Sequence, residues 1–139
     1  MRPAIASDEL DAFVRQTLML PCDDARTGVR IDFAFTQFEF ERQAIARARK
    51  VLLAGYRVRV ASAEDLIVLK VIAGRPVDMQ DVESLYLTNP RLDIGYVRRW
   101  LRQYADLLAE PVLDRFDRLV KAVNARLKPS KNGSLDATV

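Results

Sequence analysis

Residues 61–81 read ASAEDLIVLKVIAGRPVDMQD, and this stretch decides the fold. Ser62 followed by Asp65 three residues later is a capping-box pattern, which predicts the start of a helix. The predicted helix is apolar on every side except at Lys70, so we expect it to be largely buried. A glycine and a proline end it, and a second helix is predicted to begin at Asp78.

The lone lysine of this apolar helix needs a compensating group, because burying an unpaired ammonium group is costly. Three placements are open: the ammonium group of Lys70 reaches water, is held by Asp78 or Asp81, or points at nucleotide phosphates. Asp78 is predicted to cap the second helix, and Asp81 suits the positive end of that helix dipole. Capping alone would explain both aspartates, so a structural and a functional interpretation both stand.

A β-hairpin is predicted upstream of this helix pair. Residues 29–35 form its clearest strand, because apolar residues alternate there with polar or small ones. Residues 14–20 are predicted to be the other strand, and the proline, aspartates and glycine between the two favour an antiparallel turn. Asp32 projects from the face opposite the aromatic side chains. It is either solvated or paired with Arg30 or Arg15, or it is a metal ligand on the sheet.

The remaining elements are mostly helical. A helix is predicted over residues 38–50 and an edge strand over residues 56–60. Two amphipathic helices, which begin near Asp93 and Pro111, are expected to pair as an antiparallel hairpin. The fold class is therefore α+β: a partial mixed sheet, made of a β-hairpin plus an edge strand, with helices on one side and a C-terminal helical hairpin.

Composition excludes several classes of function. The 139 residues include no histidine and one cysteine, Cys22. Ser-His-Asp and Cys-His catalysis, a zinc site built from histidine or several cysteines, and an intrachain disulfide are therefore excluded. Any chemistry would rely on carboxylates, lysine, arginine and a hard metal such as magnesium.

Charge, hydropathy and chain organisation set further expectations. A net charge of +3 does not indicate nucleic-acid binding strongly. The apolar runs are too short to span a bilayer and no signal-peptide pattern is present, so we expect a cytoplasmic protein without a membrane partner. No repeat or long linker divides the chain, so residues 1–128 are predicted to be one domain and residues 129–139 a flexible tail.

The order of these motifs resembles a group of bacterial nucleotidyltransferase-fold proteins that includes the AbiEii-type abortive-infection toxins, relatives of the minimal nucleotidyltransferases. The resemblance covers residues 28–87 and rests on VRIDF, on GYRVRVASAEDL, on the lysine and on RPVDMQD. It implies that Asp32 is a catalytic, metal-binding aspartate and that Lys70 is a catalytic, nucleotide-binding lysine. It also implies supporting roles at the nucleotide site for Arg75, Asp78 and Asp81.

The resemblance further implies an activity and a cofactor. The activity is transfer of a nucleoside monophosphate from a nucleoside triphosphate to a hydroxyl acceptor, with magnesium at Asp32. One departure is large: such enzymes carry a Gly-Ser or Gly-Gly turn and an Asp-x-Asp pair on an earlier strand, and nothing before Asp32 offers that arrangement. We therefore expect an N-terminally incomplete chain that is inactive alone.

Three hypotheses follow from this departure. In the first, a longer form of the protein carries the activity. In the second, this is a degenerate member that keeps the fold as a non-catalytic binding or regulatory subunit of a toxin–antitoxin or phage-defence system. In the third, a partner supplies the Asp-x-Asp strand in trans. A small antitoxin-like or scaffold module is the alternative outside the family. A missing strand and helix would leave a sheet edge uncovered, so we expect a homodimer or a hetero-partner there.

Overall fold

The computed structural model describes residues 1–36 and 38–127, and the chain divides into two compact units. The first unit, Met1–Ala46, contains strand β1 (Arg2–Pro3), helix α1 (Leu10–Thr17), strands β2 (Met19–Asp23) and β3 (Arg30–Ala34), and nearly all of helix α2 (Glu39–Arg47). The second unit begins at Arg47 and contains strands β4 (Arg49–Leu53) and β5 (Tyr56–Val60), followed by helices α3 (Ala63–Ala73), α4 (Pro76–Thr88), α5 (Ile94–Leu108) and α6 (Val112–Leu127).

The α+β class is confirmed, and the strands lie in two small antiparallel sheets. The C-terminal helical pair is present as α5 and α6. One domain over residues 1–128 stays a prediction, and the predicted tail at residues 129–139 lies outside the described residues. Within residues 1–36 and 38–127, no helix combines the length and apolar character needed to cross a membrane.

The sheet of the first unit has the strand order β1-β2-β3 and confirms the predicted hairpin. Its register pairs Pro21 with Asp32. The prediction of a strand over residues 14–20 is wrong for most of its length, because α1 continues to Thr17 and β2 begins only at Met19. The backbone at Leu18 adopts φ 56°, a left-handed cap that ends the helix and turns the chain into β2.

Strands β4 and β5 form a separate two-stranded ribbon in the second unit. The predicted helix over residues 38–50 ends early, at Arg47, and β4 begins two residues later. Ala54 and Gly55 both have positive φ, at 49° and 85°. Two consecutive residues of this kind are typical of the tight turn that joins paired antiparallel strands.

Helix α3 lies at the centre of the second unit and packs against α4, α5 and α6. The predicted cap is confirmed, since the Ser62 hydroxyl accepts a hydrogen bond from the backbone N–H of Asp65 at 3.1 Å. Ile67, Val68 and Val71 are fully buried, as the apolar pattern predicts. Leu69 is an exception: it lies on the exposed side of the helix, so burial is not complete all round.

The start of α4 differs from the sequence prediction. Pro76 occupies the first helical position, with Arg75 before it as the cap residue. Proline suits that position because the first helical N–H groups have no intrahelical partner. The prediction that Asp78 caps the helix is therefore wrong: Asp78 lies inside the first turn, where its carboxylate bonds to the guanidinium group of Arg75.

Candidate functional site

Four charged side chains from α3, α4 and the loop between them form one ionic cluster, which we call the Lys70 cluster. The Nζ atom of Lys70 lies 2.6 Å from a carboxylate oxygen of Asp81 and 3.5 Å from one of Asp78. Arg75 donates two hydrogen bonds to the two oxygens of Asp78, at 2.6 and 3.1 Å. Of the three placements open to Lys70, the structure has the one in which the aspartates of α4 hold the ammonium group: Asp81 is its hydrogen-bond partner and Asp78 lies farther away.

One side of the Lys70 cluster is buried and the other faces solvent. The side chain of Asp78 is 3% exposed and that of Lys70 is 23% exposed, whereas Asp81 is 48% exposed. The hydrogen bond from Arg75 lowers the pKa of Asp78, and the hydrogen bond to Asp81 raises the pKa of Lys70. The same pairing with Asp78 raises the pKa of Arg75. All three groups are therefore held in their charged forms at neutral pH.

Asp32 lies in the first unit, on β3, and is described there by itself. Its carboxylate accepts a hydrogen bond from Arg30 at 3.1 Å, so pairing with Arg30 is the observed member of the alternatives left open. The structure thus brings together the predicted residues Lys70, Arg75, Asp78 and Asp81, while Asp32 belongs to the other unit.

The described residues do not complete a magnesium site. Across residues 1–36 and 38–127, no group of three or more His, Cys, Asp or Glu side chains is arranged to hold a metal ion. Asp32 offers one carboxylate, which is already ion-paired, and one carboxylate cannot fix the ions of a two-metal phosphoryl-transfer site. Magnesium at Asp32 stays a prediction that rests on the resemblance.

A second buried ionic network, which was not predicted from the sequence, lies at the other end of α3. Asp65 is fully buried, and its carboxylate accepts hydrogen bonds from the hydroxyl groups of Ser62 and Tyr96, each at 2.8 Å. Arg47 completes the network at 2.5 Å and stacks its guanidinium group 4.5 Å from the centroid of the Tyr96 ring. The available signal was an aspartate in the first turn of an apolar helix, which a cap alone does not require.

Two adjoining clefts flank this network. One, of about 540 Å³, lies between the junction of β5 with α3 and the loop from α4 to α5. The other, of about 330 Å³, is lined by Arg47, Arg49 and Tyr96 together with residues at the starts of α3 and α5. Both clefts include Arg49, Ser62 and Glu64 in their walls, so the N-terminal end of α3 stands between them.

Comparison with known families assigns the chain. A family model described as a nucleotidyl transferase of unknown function (DUF2204) matches residues 17–121. The chain belongs to this family. The DUF2204 match spans Asp32, the Lys70 cluster and the Asp65 network, and it establishes the nucleotidyltransferase-like part of the resemblance. No curated protein and no solved structure matches the chain.

Proposed function

We propose that this DUF2204 member binds a nucleoside triphosphate at the Lys70 cluster, as part of an AbiEii-like nucleotidyltransferase site that the chain alone does not complete. The observation that carries the proposal is the graded burial of the cluster. Lys70 is mostly buried, whereas the carboxylate nearest to it, on Asp81, is half exposed. The most accessible side of the ammonium group is therefore occupied by a partner that a ligand can replace.

The cluster divides the work of binding between two aspartates. Asp78 is buried and clamped by Arg75, so it stays in place and fixes the position of the lysine head group. Asp81 neutralises the lysine in the free protein and moves aside when a phosphate oxygen takes its place. Lysine suits this role because its ammonium group is a compact point charge with three donors.

Transfer of a nucleoside monophosphate needs more metal ligands than the resemblance assigns within this chain. Magnesium, when bound, would neutralise the phosphate charge, and Asp32 is the residue that the resemblance assigns to it. Asp32 is the carboxylate that the resemblance assigns to the metal, and a two-metal site needs further carboxylate ligands, which a partner could supply in trans. We therefore expect the chain to be inactive by itself and to act as a homodimer or within a hetero-complex, and the proposed location is the cytoplasm.

A second candidate function is a non-catalytic binding or regulatory subunit, of the kind found in toxin–antitoxin or phage-defence systems. The lack of an acidic triad among residues 1–36 and 38–127 favours it. Both candidates require binding, and they differ in catalysis by the assembled complex.

Calorimetry of nucleoside triphosphates with magnesium or manganese tests the proposal. We expect Lys70→Ala to weaken binding at least tenfold, and Asp32→Asn to remove only the contribution that depends on metal. Lys121→Ala is the matched control, because it removes an exposed lysine of α6 outside the cluster. Wild-type affinity in Lys70→Ala, or no heat with any of the four common triphosphates at millimolar concentration, would overturn the proposal.

A second measurement separates the two candidates. The chain is incubated with α-labelled triphosphate, alone and with candidate partners encoded beside it, and label incorporation is followed. Incorporation that requires a partner and is lost in Lys70→Ala supports the completed transferase. Nucleotide binding without incorporation in any mixture supports the regulatory subunit.

A further inference from the structure

The β4–β5 ribbon is strongly basic, although the net charge of the whole chain is only +3. Residues 49–60 contain four cationic residues and no acidic one. The register places Lys50 opposite Arg59 and Leu52 opposite Arg57, so three of the four cations share one face. The fourth, Arg49, lies on the other face, opposite Val60.

This ribbon projects its side chains into solvent. Every residue of β4 and β5 except Val58 is exposed, and Leu52 and Tyr56, near the turn, are 72% and 75% exposed. Among the described residues, neither outer edge of the ribbon pairs with another strand. An isolated two-stranded ribbon is marginally stable in water. A bound partner would therefore stabilise the β4–β5 ribbon.

The cationic surface continues at the base of the ribbon. Arg49 lines the smaller cleft beside Arg47 and Tyr96, and the guanidinium group of Arg99 lies 5.5 Å from the centroid of the same ring. The side chains of Arg49, Lys50 and Arg57 form no ion pair with a described residue. Their charge is therefore available to a polyanion at no cost in broken internal ion pairs.

We propose that the β4–β5 ribbon binds the phosphate backbone of a single-stranded nucleic acid. Charge complementarity selects this occupant, since a second copy of the chain would bring like charges together across the ribbon. Tyr56 pairs with Leu53 beside the turn, on the face of Arg49, and its exposed ring provides a surface there on which an unpaired base can stack next to that cation. The inference goes beyond the proposed function, because it requires neither a nucleoside triphosphate nor transferase activity.

Salt dependence of binding gives the sharpest test. A fluorescently labelled 20-nucleotide single strand is titrated with the full chain, without nucleotide or metal, between 50 and 200 mM salt. Three phosphate contacts, at Arg49, Lys50 and Arg57, correspond to a slope of about −2.1 in log K against log salt, which is roughly a twentyfold loss over this range. Removing two contacts should reduce the slope to about −0.7 and the loss to roughly threefold.

The variant pair Lys50→Gln/Arg57→Gln removes two ribbon cations, and Arg118→Gln/Lys121→Gln removes two exposed cations of α6 as the matched control. Circular dichroism checks that both are folded. A reduced slope in the ribbon variant alone supports the inference. Absence of binding at 50 mM salt, equal losses in both variants, tighter binding to a duplex, or ribbon-dependent binding of phosphatidylglycerol vesicles but not of the oligonucleotide would overturn it.

Discussion

Removal of the Asp65 carboxylate should strongly destabilise the second unit, because it leaves the donors of a buried network without their acceptor. Asp65 is fully buried and accepts hydrogen bonds from Ser62, Tyr96 and Arg47. Bonds to a charged group contribute about 1.5–3 kcal/mol each, and the loss of one partner of a buried pair costs about 3–5 kcal/mol. The Arg47 side chain is 37% exposed and keeps water as a partner, which reduces its share of the cost.

We therefore expect Asp65→Ala to cost about 3 kcal/mol of unfolding free energy after this discount. Asp65→Asn keeps an acceptor for Tyr96 and loses only the charge, so it should cost about 1–2 kcal/mol. Tyr96→Phe removes one donor and should cost about 1 kcal/mol. The order of the three losses in unfolding free energy tests the network, in addition to the size of the largest loss.

Urea denaturation followed by circular dichroism measures these differences. With an m-value of about 1.5 kcal/mol/M, a loss of 3 kcal/mol moves the midpoint by about 2 M. Asp117→Ala is the matched control, since it removes a carboxylate that pairs with Arg98 at 2.8 Å while both side chains are more than 40% exposed. That change should cost less than 1 kcal/mol. Equal midpoints for Asp65→Ala and Asp117→Ala would refute the reasoning.

Three further predictions concern the backbone, pH and assembly. Gly74→Ala should lower the free energy of unfolding by about 1–2 kcal/mol in urea denaturation. The φ angle of Gly74 is +65°, and a Cβ atom there would clash with the guanidinium group of Arg115. Gly28→Ala, with a similar φ but open space around it, should cost less. The hydrogen bond from Arg75 lowers the pKa of Asp78 below 3.8. The stability that this bond adds is therefore present at neutral pH and is lost as pH falls through the lowered pKa. Asp78→Asn should flatten the plot of urea midpoint against pH below pH 4. Light scattering at tens of micromolar should give the mass of a dimer or larger species, and a monomer throughout would contradict the predicted self-association.

The sequence predicted best where an apolar pattern and a local start or stop signal coincide. The capped apolar helix α3, the alternating strand β3 and the amphipathic pair α5–α6 each have such signals, and all three are confirmed. Residues 14–20 gave the wrong prediction because a short apolar run fits either period. Leu10, Phe13 and Val14 have helical spacing, and the left-handed cap at Leu18 then allows a strand to follow immediately.

The candidate site was predictable only in part. The spacing of Lys70, Asp78 and Asp81 on consecutive helices left three placements open for the lysine ammonium group. The structure was needed to choose between them. The Asp65 network was missed because its partners, Arg47 and Tyr96, lie 18 and 31 residues away along the chain. Contacts at such separations leave no periodic signal in a single sequence.

The packing of α6 fixes when the second unit finishes folding during synthesis. Val112, Phe116 and Val123 are buried, and Arg115 donates a hydrogen bond at 2.7 Å to the carbonyl of Val71 near the end of α3. A nascent chain that ends before α6 therefore exposes the apolar side of α3 and leaves that carbonyl without its partner. The ribosome must release α6 before this unit is protected from chaperones and proteases.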